Sequence, residues 1–277
     1  MQSNRSLEGL FSSFSPDGNT YAIATSDGRL RLFDSGNGRL KVALGNKNSS
    51  SIFNSLASAS VNENITSFSW IPSKEAACAT ASGLIVGTAS GHVQLYDVQR
   101  GEIVWRTKDA KEGGVYAVSY SAGQNVILCS GRASSISIIS AADGSLIRRV
   151  EASRYALTSL SLSSDHRFVL TGSSTFQLLQ SDTFERVAKY TGHQNQVKTI
   201  RFVDGMDLFV SAGTGERDIA IWQAPPPAFL TRNQCRAAVS LPLERPAVHV
   251  DAVGVPDAGA EEGEKEEEEE EEVEVGR

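Results

Sequence analysis

The residue types used most often in catalysis and metal binding are scattered through this 277-residue sequence. None of its histidines and cysteines form a close pair: His92, His166, His193, His249, Cys78, Cys129 and Cys235. Zinc sites typically combine closely spaced pairs, and a disulfide framework needs an even number of cysteines. Neither a Gly-x-Ser-x-Gly elbow nor a Walker-type Gly-Lys-Ser/Thr motif occurs. We therefore expect no metal, no cofactor and no catalytic residue.

Several glycine-containing stretches could be mistaken for reactive loops. The stretch Gly213–Arg217 superficially suggests a phosphate loop, but Ile219–Trp222 after it alternates like a strand. Without a following helix there is no helix N-terminus to hold an anion, so a tight turn is the better interpretation. The pairs Asp17-Gly18 and Asp27-Gly28 also favour turns, because glycine adopts positive φ and aspartate bonds its own backbone.

Two pairs of basic residues are candidates for contact with RNA or a protein partner. Arg29 and Arg31 alternate along one predicted strand, and Lys198 and Arg201 lie on another. A nucleic-acid site would cluster such residues on one face together with aromatic stacking partners. The alternative is a sheet rim whose cations are solvated or paired with neighbouring acids.

A repeated unit positions all of these residues. Similar tripeptides end five segments: Leu-Phe-Asp at 32–34, Leu-Tyr-Asp at 95–97, Ile-Ile-Ser at 138–140, Leu-Leu-Gln at 178–180 and Ile-Trp-Gln at 221–223. Their last residues are separated by 63, 43, 40 and 43 residues. A period of about 40–45 residues with four strands per unit is typical of a propeller blade. The longer first interval contains a Ser- and Asn-rich stretch, 45–64, which we interpret as an inserted loop.

Within each unit, short alternating strands are separated by polar turns, and no comparable helical period occurs. The sequence therefore predicts an all-β propeller over 10–250. Its five four-stranded units cover about 10–45, 63–109, 113–152, 155–193 and 195–250. The stretch 237–241 is expected to complete the fifth blade, and 246–250 to begin a sixth. An unfinished sixth blade favours a fragment, with a complete small propeller as the alternative.

Charge divides the chain into two parts. Residues 251–277 carry 13 acidic and 2 basic residues, whereas the rest carries 20 acidic and 24 basic residues, a net charge of +4. Seven consecutive glutamates at 266–272 repel one another and bury no apolar surface. We expect 251–277 to be disordered. No stretch has the length or polarity of a signal peptide or membrane span, which favours a soluble intracellular protein.

The repeats resemble the WD-repeat family. The first unit has Ser-Pro-Asp-Gly at 15–18 and Leu-Phe-Asp at 32–34, and the fifth opens with Gly192-His193 and closes at Trp222. The resemblance implies a buried hydrogen-bonded set of His193, Ser211, Glu216 and Trp222. Glu216 stands where the family usually has aspartate, and Asp218 is a competing candidate for that position. Its role would be structural, because a buried indole N–H and hydroxyl need partners.

The ordered motifs are also similar to one member, the WD-repeat protein 43 family, also called U-three small-nucleolar-RNA-associated protein five. They include FSPDG, SDGRLRLFD, LIVGTASGHVQLYDV and YTGHQNQVKTIRF. This resemblance covers about 10–250. It implies a non-catalytic scaffold in the nucleus and nucleolus, a subunit of the small-subunit processome. Its partners would be sister WD-repeat subunits and leading pre-rRNA, supporting 18S rRNA maturation and rRNA transcription.

Two other functions are less well supported by the sequence. A substrate receptor of a ubiquitin ligase often has Trp-Asp-x-Arg at the end of a repeat, but here the endings are Phe-Asp-Ser-Gly and Trp-Gln-Ala-Pro. A propeller enzyme would need polar groups converging on the central channel, and the predicted inner strands carry mostly Ser, Thr and aliphatic residues.

Overall fold

The computed structural model describes residues 9–45, 64–71, 83–100, 102–108, 113–203, 205–225, 237 and 239–245. These residues form twenty strands, all in five four-stranded antiparallel sheets, and no helix. One strand from each sheet lines a shared central channel, so the sheets are the blades of a propeller. The prediction of an all-β propeller with five four-stranded blades is confirmed. No helix in these ranges could cross a membrane.

Each blade follows chain order from an inner to an outer strand. Blade one contains β1 (Gly9–Phe14), β2 (Thr20–Thr25), β3 (Arg29–Asp34) and β4 (Leu40–Gly45). Blade two contains β5 (Ile65–Ile71), β6 (Gly83–Thr88), β7 (His92–Asp97) and β8 (Glu102–Lys108). Blade three contains β9 (Val115–Ser121), β10 (Val126–Gly131), β11 (Ser135–Ser140) and β12 (Leu146–Glu151). Blade four contains β13 (Ser159–Leu162), β14 (Phe168–Gly172), β15 (Phe176–Gln180) and β16 (Arg186–Tyr190). Blade five contains β17 (Val197–Phe202), β18 (Leu208–Gly213), β19 (Asp218–Gln223) and β20 (Val239–Pro242).

The outer strand of blade five is β20, which pairs antiparallel with β19. It overlaps the stretch 237–241, where the sequence predicts that strand. The inserted loop between Gly45 and Asn64, the sixth-blade strand at 246–250 and the acidic segment 251–277 lie outside the described residues, as do Cys78, Cys235 and His249.

Apolar side chains join successive blades. One hydrophobic cluster lies between blades one and two, and similar clusters lie between blades two and three, three and four, and four and five. The blades share these cores because each strand exposes alternate side chains on opposite faces of its sheet. No such cluster joins blade five to blade one within the described ranges. We call the space between those two blades the seam.

Candidate functional site

The hydrogen-bonded set of blade five comes together from a loop, two strands and the turn between those strands. His193 lies between β16 and β17, Ser211 is on β18, Trp222 is on β19, and Glu216 is in the turn between the last two strands. The indole N–H of Trp222 donates to Ser211 Oγ over 2.8 Å, and Ser211 Oγ lies 2.7 Å from His193 Nε2. His193 Nδ1 in turn contacts Glu216 Oε2.

The other carboxylate oxygen of Glu216 extends this set to the backbone. Glu216 Oε1 accepts hydrogen bonds from the backbone N–H groups of Gln194 and Asn195, each at 2.8 Å. Burial opposes ionisation of Glu216, but the hydrogen bonds from His193 and the Asn195 N–H outweigh it and lower the pKa of the carboxyl. Asp218, the competing candidate, is exposed at the start of β19 opposite Pro242.

This arrangement connects blade five to the loop that enters it. A Cβ atom added to Gly192 would lie 2.8 Å from Trp222 Cη2, so glycine before His193 permits the close approach of loop and indole. Trp222 is fully buried and packs edge-to-face on Phe176 of blade four, with ring centroids 4.7 Å apart. Every polar group of the set has a partner, so the geometry is that of a structural clamp.

The two Asp-Gly pairs of blade one lie in turns between its strands. Gly18 and Gly28 have φ values of +71° and +77°, which a residue with a side chain adopts only at a cost. Asp17 accepts hydrogen bonds from the Ser15 hydroxyl at 2.5 Å and from the Asn19 backbone N–H at 3.1 Å. These hydrogen bonds lower the pKa of Asp17, and they stabilise the turn locally.

The basic candidates of blade one are engaged by the second turn. Arg31 Nη2 donates to Asp27 Oδ2 over 2.6 Å, and Asp27 also accepts from the Thr25 hydroxyl. The Arg31 guanidinium holds the pKa of the Asp27 carboxyl well below its usual range. Arg29 Nε lies 3.8 Å from the same carboxylate. Both arginines therefore belong to the turn network of blade one.

The basic candidates of blade five lie in a different place, at the central channel. Lys198 and Arg201 line a cavity of about 250 Å³ together with residues from the inner strands of all five blades. Arg201 donates to the carbonyls of Ile200, at 3.1 Å, and Leu160, at 3.4 Å, so it bridges blades five and four. Lys198 is exposed and has no hydrogen-bond or ion-pair partner among the described side chains.

Sequence reasoning missed the reason why Lys198 faces the channel. The register of β17 shifts between Val197 and Thr199, so Lys198 is the extra residue of a β-bulge. Bulges at the same position leave Leu10, Thr66 and Tyr116 unpaired in β1, β5 and β9. Thr158, immediately before β13, lines the cavity too. Bulges redirect a side chain, and here they place one residue from each of four blades around the channel; with Thr158 these residues form a ring of five.

The two threonines of this ring connect neighbouring blades. Thr158 Oγ1 donates to the carbonyl of Val197 over 2.7 Å, and Thr66 Oγ1 donates to the carbonyl of Val115. In both cases the acceptor is the residue that precedes the bulge of the next blade. Among the residues that the structure describes, the cavity lining contains two cations and no carboxylate. The channel is therefore electropositive at blade five, beside the seam.

The remaining reactive residue types show no catalytic grouping in the part of the chain that the structure describes. No three His, Cys, Asp or Glu side chains there come together as a metal site. Cys129 is buried in the core between blades two and three. His92 Nδ1 lies 3.0 Å from the Ser90 hydroxyl, and His166 occupies a turn position with a φ of +59°.

Comparison with known proteins adds a family to this geometry. Residues 11–190, more than half of the chain, match the family model described as nucleolar protein 10-like, N-terminal domain, a β-propeller. No curated protein sequence matches significantly. A chain from the crystal structure of the mitotic checkpoint complex superimposes with a TM-score of 0.66 and 13% identity. That superposition covers 89% of this chain and 68% of the other, and at this identity it shows the fold alone.

Proposed function

Because the chain belongs to the family of nucleolar protein 10-like N-terminal propeller domains, we propose that it is a non-catalytic scaffold subunit in nucleolar ribosome biogenesis. The observation that carries this proposal is the match over residues 11–190. The proposal places the protein in the nucleus and nucleolus.

Within that setting, we propose the more specific role of a small-subunit processome subunit, like the WD-repeat protein 43 family that its ordered motifs resemble. Its partners would be other WD-repeat subunits and, inside the complex, early pre-rRNA. The function would be to support 18S rRNA maturation and rRNA transcription. Two features support a scaffold: the polar groups of the blade-five set are mutually satisfied, and two outer strands expose apolar side chains, Ile147 and Val104.

Among the four basic candidates, Lys198 is the best test of contact with RNA. Arg31 is held by Asp27, and Arg201 already donates to two backbone carbonyls. Lys198 projects its charge into an open channel that also contains the exposed ring of Tyr116. Phosphate contacts by lysine and base stacking on aromatic rings are the usual means of binding single-stranded RNA.

The experiment is to tag the protein in cells, image it, and recover cross-linked RNA. We expect a nucleolar signal and enrichment of the 5′ external spacer of pre-rRNA. The variant Lys198→Glu should reduce spacer recovery, whereas Lys108→Glu, the same charge change on the outer strand β8, should not. Diffuse localisation with no spacer recovered would rule out the proposed function. Normal recovery with Lys198→Glu would rule out only the contact at this lysine.

A further inference from the structure

The seam exposes two apolar sheet faces that are covered at every other junction. On blade five this face consists of Leu208, Val210, Ile219, Ile221, Val239 and Leu241, which share one side of the sheet by strand register. On blade one it includes Phe14, Tyr21, Ile23 and Phe33. These sets are the seam faces of blades five and one.

Equivalent positions in the other blades show how exposed the apolar side chains at the seam are. Leu241 pairs with Ile219 as Leu44 pairs with Leu30 in blade one, yet Leu241 is 46% exposed and Leu44 only 5%. Phe14 is equivalent to Phe202, and their exposures are 58% and 6%. Large apolar side chains at matched positions of a repeated blade are buried only where another blade packs on them.

At the four closed junctions, the covering element has a constant pattern. The inner strand of the following blade reads apolar, bulge, small, apolar, any, apolar. Its copies are Ile65–Trp70, Val115–Tyr120, Leu157–Leu162 and Val197–Phe202. In every copy the first, fourth and sixth residues pack in the hydrophobic cluster against the preceding blade. This pattern identifies the kind of segment that fits the seam face of blade five.

The same pattern occurs once more after blade five, at Val250-Asp251-Ala252-Val253-Gly254-Val255. Val250 follows the end of β20, Pro242, by eight residues, and the outer strands of blades two, three and four precede the next copy by six or seven. Pro256-Asp257-Ala258-Gly259 then resembles the turn Ser15-Pro16-Asp17-Gly18. Spacing, pattern and turn together distinguish this register from the stretch 246–250 expected from alternation alone.

We propose that residues 250–255 dock on the seam face of blade five as the inner strand of a further blade, with Val250, Val253 and Val255 packed against Ile219 and Ile221. The same kind of contact is made at each closed junction, where the first, fourth and sixth residues of the inner strand pack against the preceding blade.

Hydrogen exchange of the purified 277-residue chain tests the docking. The variant Val253→Asp places a charge in the proposed contact and should speed exchange of the Ile219 and Ile221 amides by about tenfold or more through local opening. The matched control is Val248→Asp. Val248 lies two residues before the pattern. The residues at that position in three earlier copies, Gly113, Tyr155 and Asn195, are all exposed. The exchange rates of the Ile219 and Ile221 amides in this control should therefore stay within about twofold of those in the natural protein. Equal effects of the two variants, or no effect of Val253→Asp, would overturn the proposal.

A second copy of the chain in the seam would protect the Ile219 and Ile221 amides only at high protein concentration, and Leu241→Glu would remove that protection. This result would overturn the proposal. None of these measurements depends on RNA or nucleolar partners.

Discussion

Blades one and five place a carboxylate at the same position of the repeat, yet the two carboxylates do different things. Asp27 and Glu216 both lie six residues before the aromatic residue of the third strand, Phe33 or Trp222. Glu216 reaches out of its blade to the entering loop, where it accepts from His193, Gln194 and Asn195. Asp27 stays within its blade and pairs with Arg31.

This difference shows that packing of the neighbouring blade, and not the repeat motif, determines which hydrogen bonds the carboxylate at this position makes. Trp222 is buried because blade four packs on it, and its indole N–H then needs the partner Ser211. The side chain of Phe33 has no N–H group, and it borders the seam, where it is half-buried. A hydrogen-bond network that spans two blades forms only where those blades pack together, whereas the hydrogen bonds of a turn form within one blade.

The largest expected effect comes from removing the aromatic residue at these two positions. Trp222→Ala should lower the free energy of unfolding by about 3–5 kcal/mol, the usual cost of deleting a buried Trp or Phe. Phe33→Ala should cost clearly less, because part of its ring already contacts solvent. Urea denaturation followed by circular dichroism measures both. Equal losses would show that the seam covers Phe33 as completely as blade four covers Trp222.

A smaller effect is expected from the hydroxyl at the centre of the set. Ser211→Ala leaves the Trp222 N–H and His193 Nε2 without their common partner, which should cost about 1–3 kcal/mol. The exposed Ser145→Ala is the control and should change little. The same denaturation experiment suffices. If the two serines proved equivalent, the clamp of blade five would contribute nothing to stability.

Acidification should weaken this clamp with a defined sign. The folded pKa of Glu216 lies below its ordinary value of 4.5, so its contribution is fully present above pH 4.5 and is lost as the pH falls through the folded pKa. Glu216→Gln should therefore be less stable than the natural protein at neutral pH. The gap should narrow below pH 4.5, as measured by thermal unfolding at several pH values. A gap independent of pH would contradict the assigned ionisation.

The smallest effect should come from the turn network of blade one. Arg31→Ala removes a partly exposed ion pair with Asp27, for which exposed pairs give about 0–1 kcal/mol. Added salt should reduce the difference between the variant and the natural protein. Thermal unfolding in low and high salt measures this. A loss as large as that of Ser211→Ala would mean that the turn stabilises more than its own blade.

Much of the architecture could be predicted from the sequence, because a propeller repeats one local pattern. Period-two alternation predicted the strands, and the spacing of Phe33, Tyr96, Ile139, Leu179 and Trp222 predicted five blades. The bulges at Leu10, Thr66, Tyr116 and Lys198 were missed, since an extra residue hardly changes the alternation of a short strand. A position-by-position alignment of the repeats within the chain could have indicated them.

The sequence by itself determined the blades, the turns and the residue types available at each position, because strands and turns depend on neighbours in the chain. Only the tertiary structure decided which basic residues reach the channel. Arg31 and Lys198 are both basic residues on predicted strands. Arg31 forms an ion pair with Asp27, whereas Lys198 occupies a β-bulge and faces the channel. Burial was decided in the same way: Leu44 and Leu241 differ in exposure because one has a neighbouring blade and the other borders the seam. Contacts between segments that are far apart in the chain set these differences, and the local sequence pattern does not indicate them.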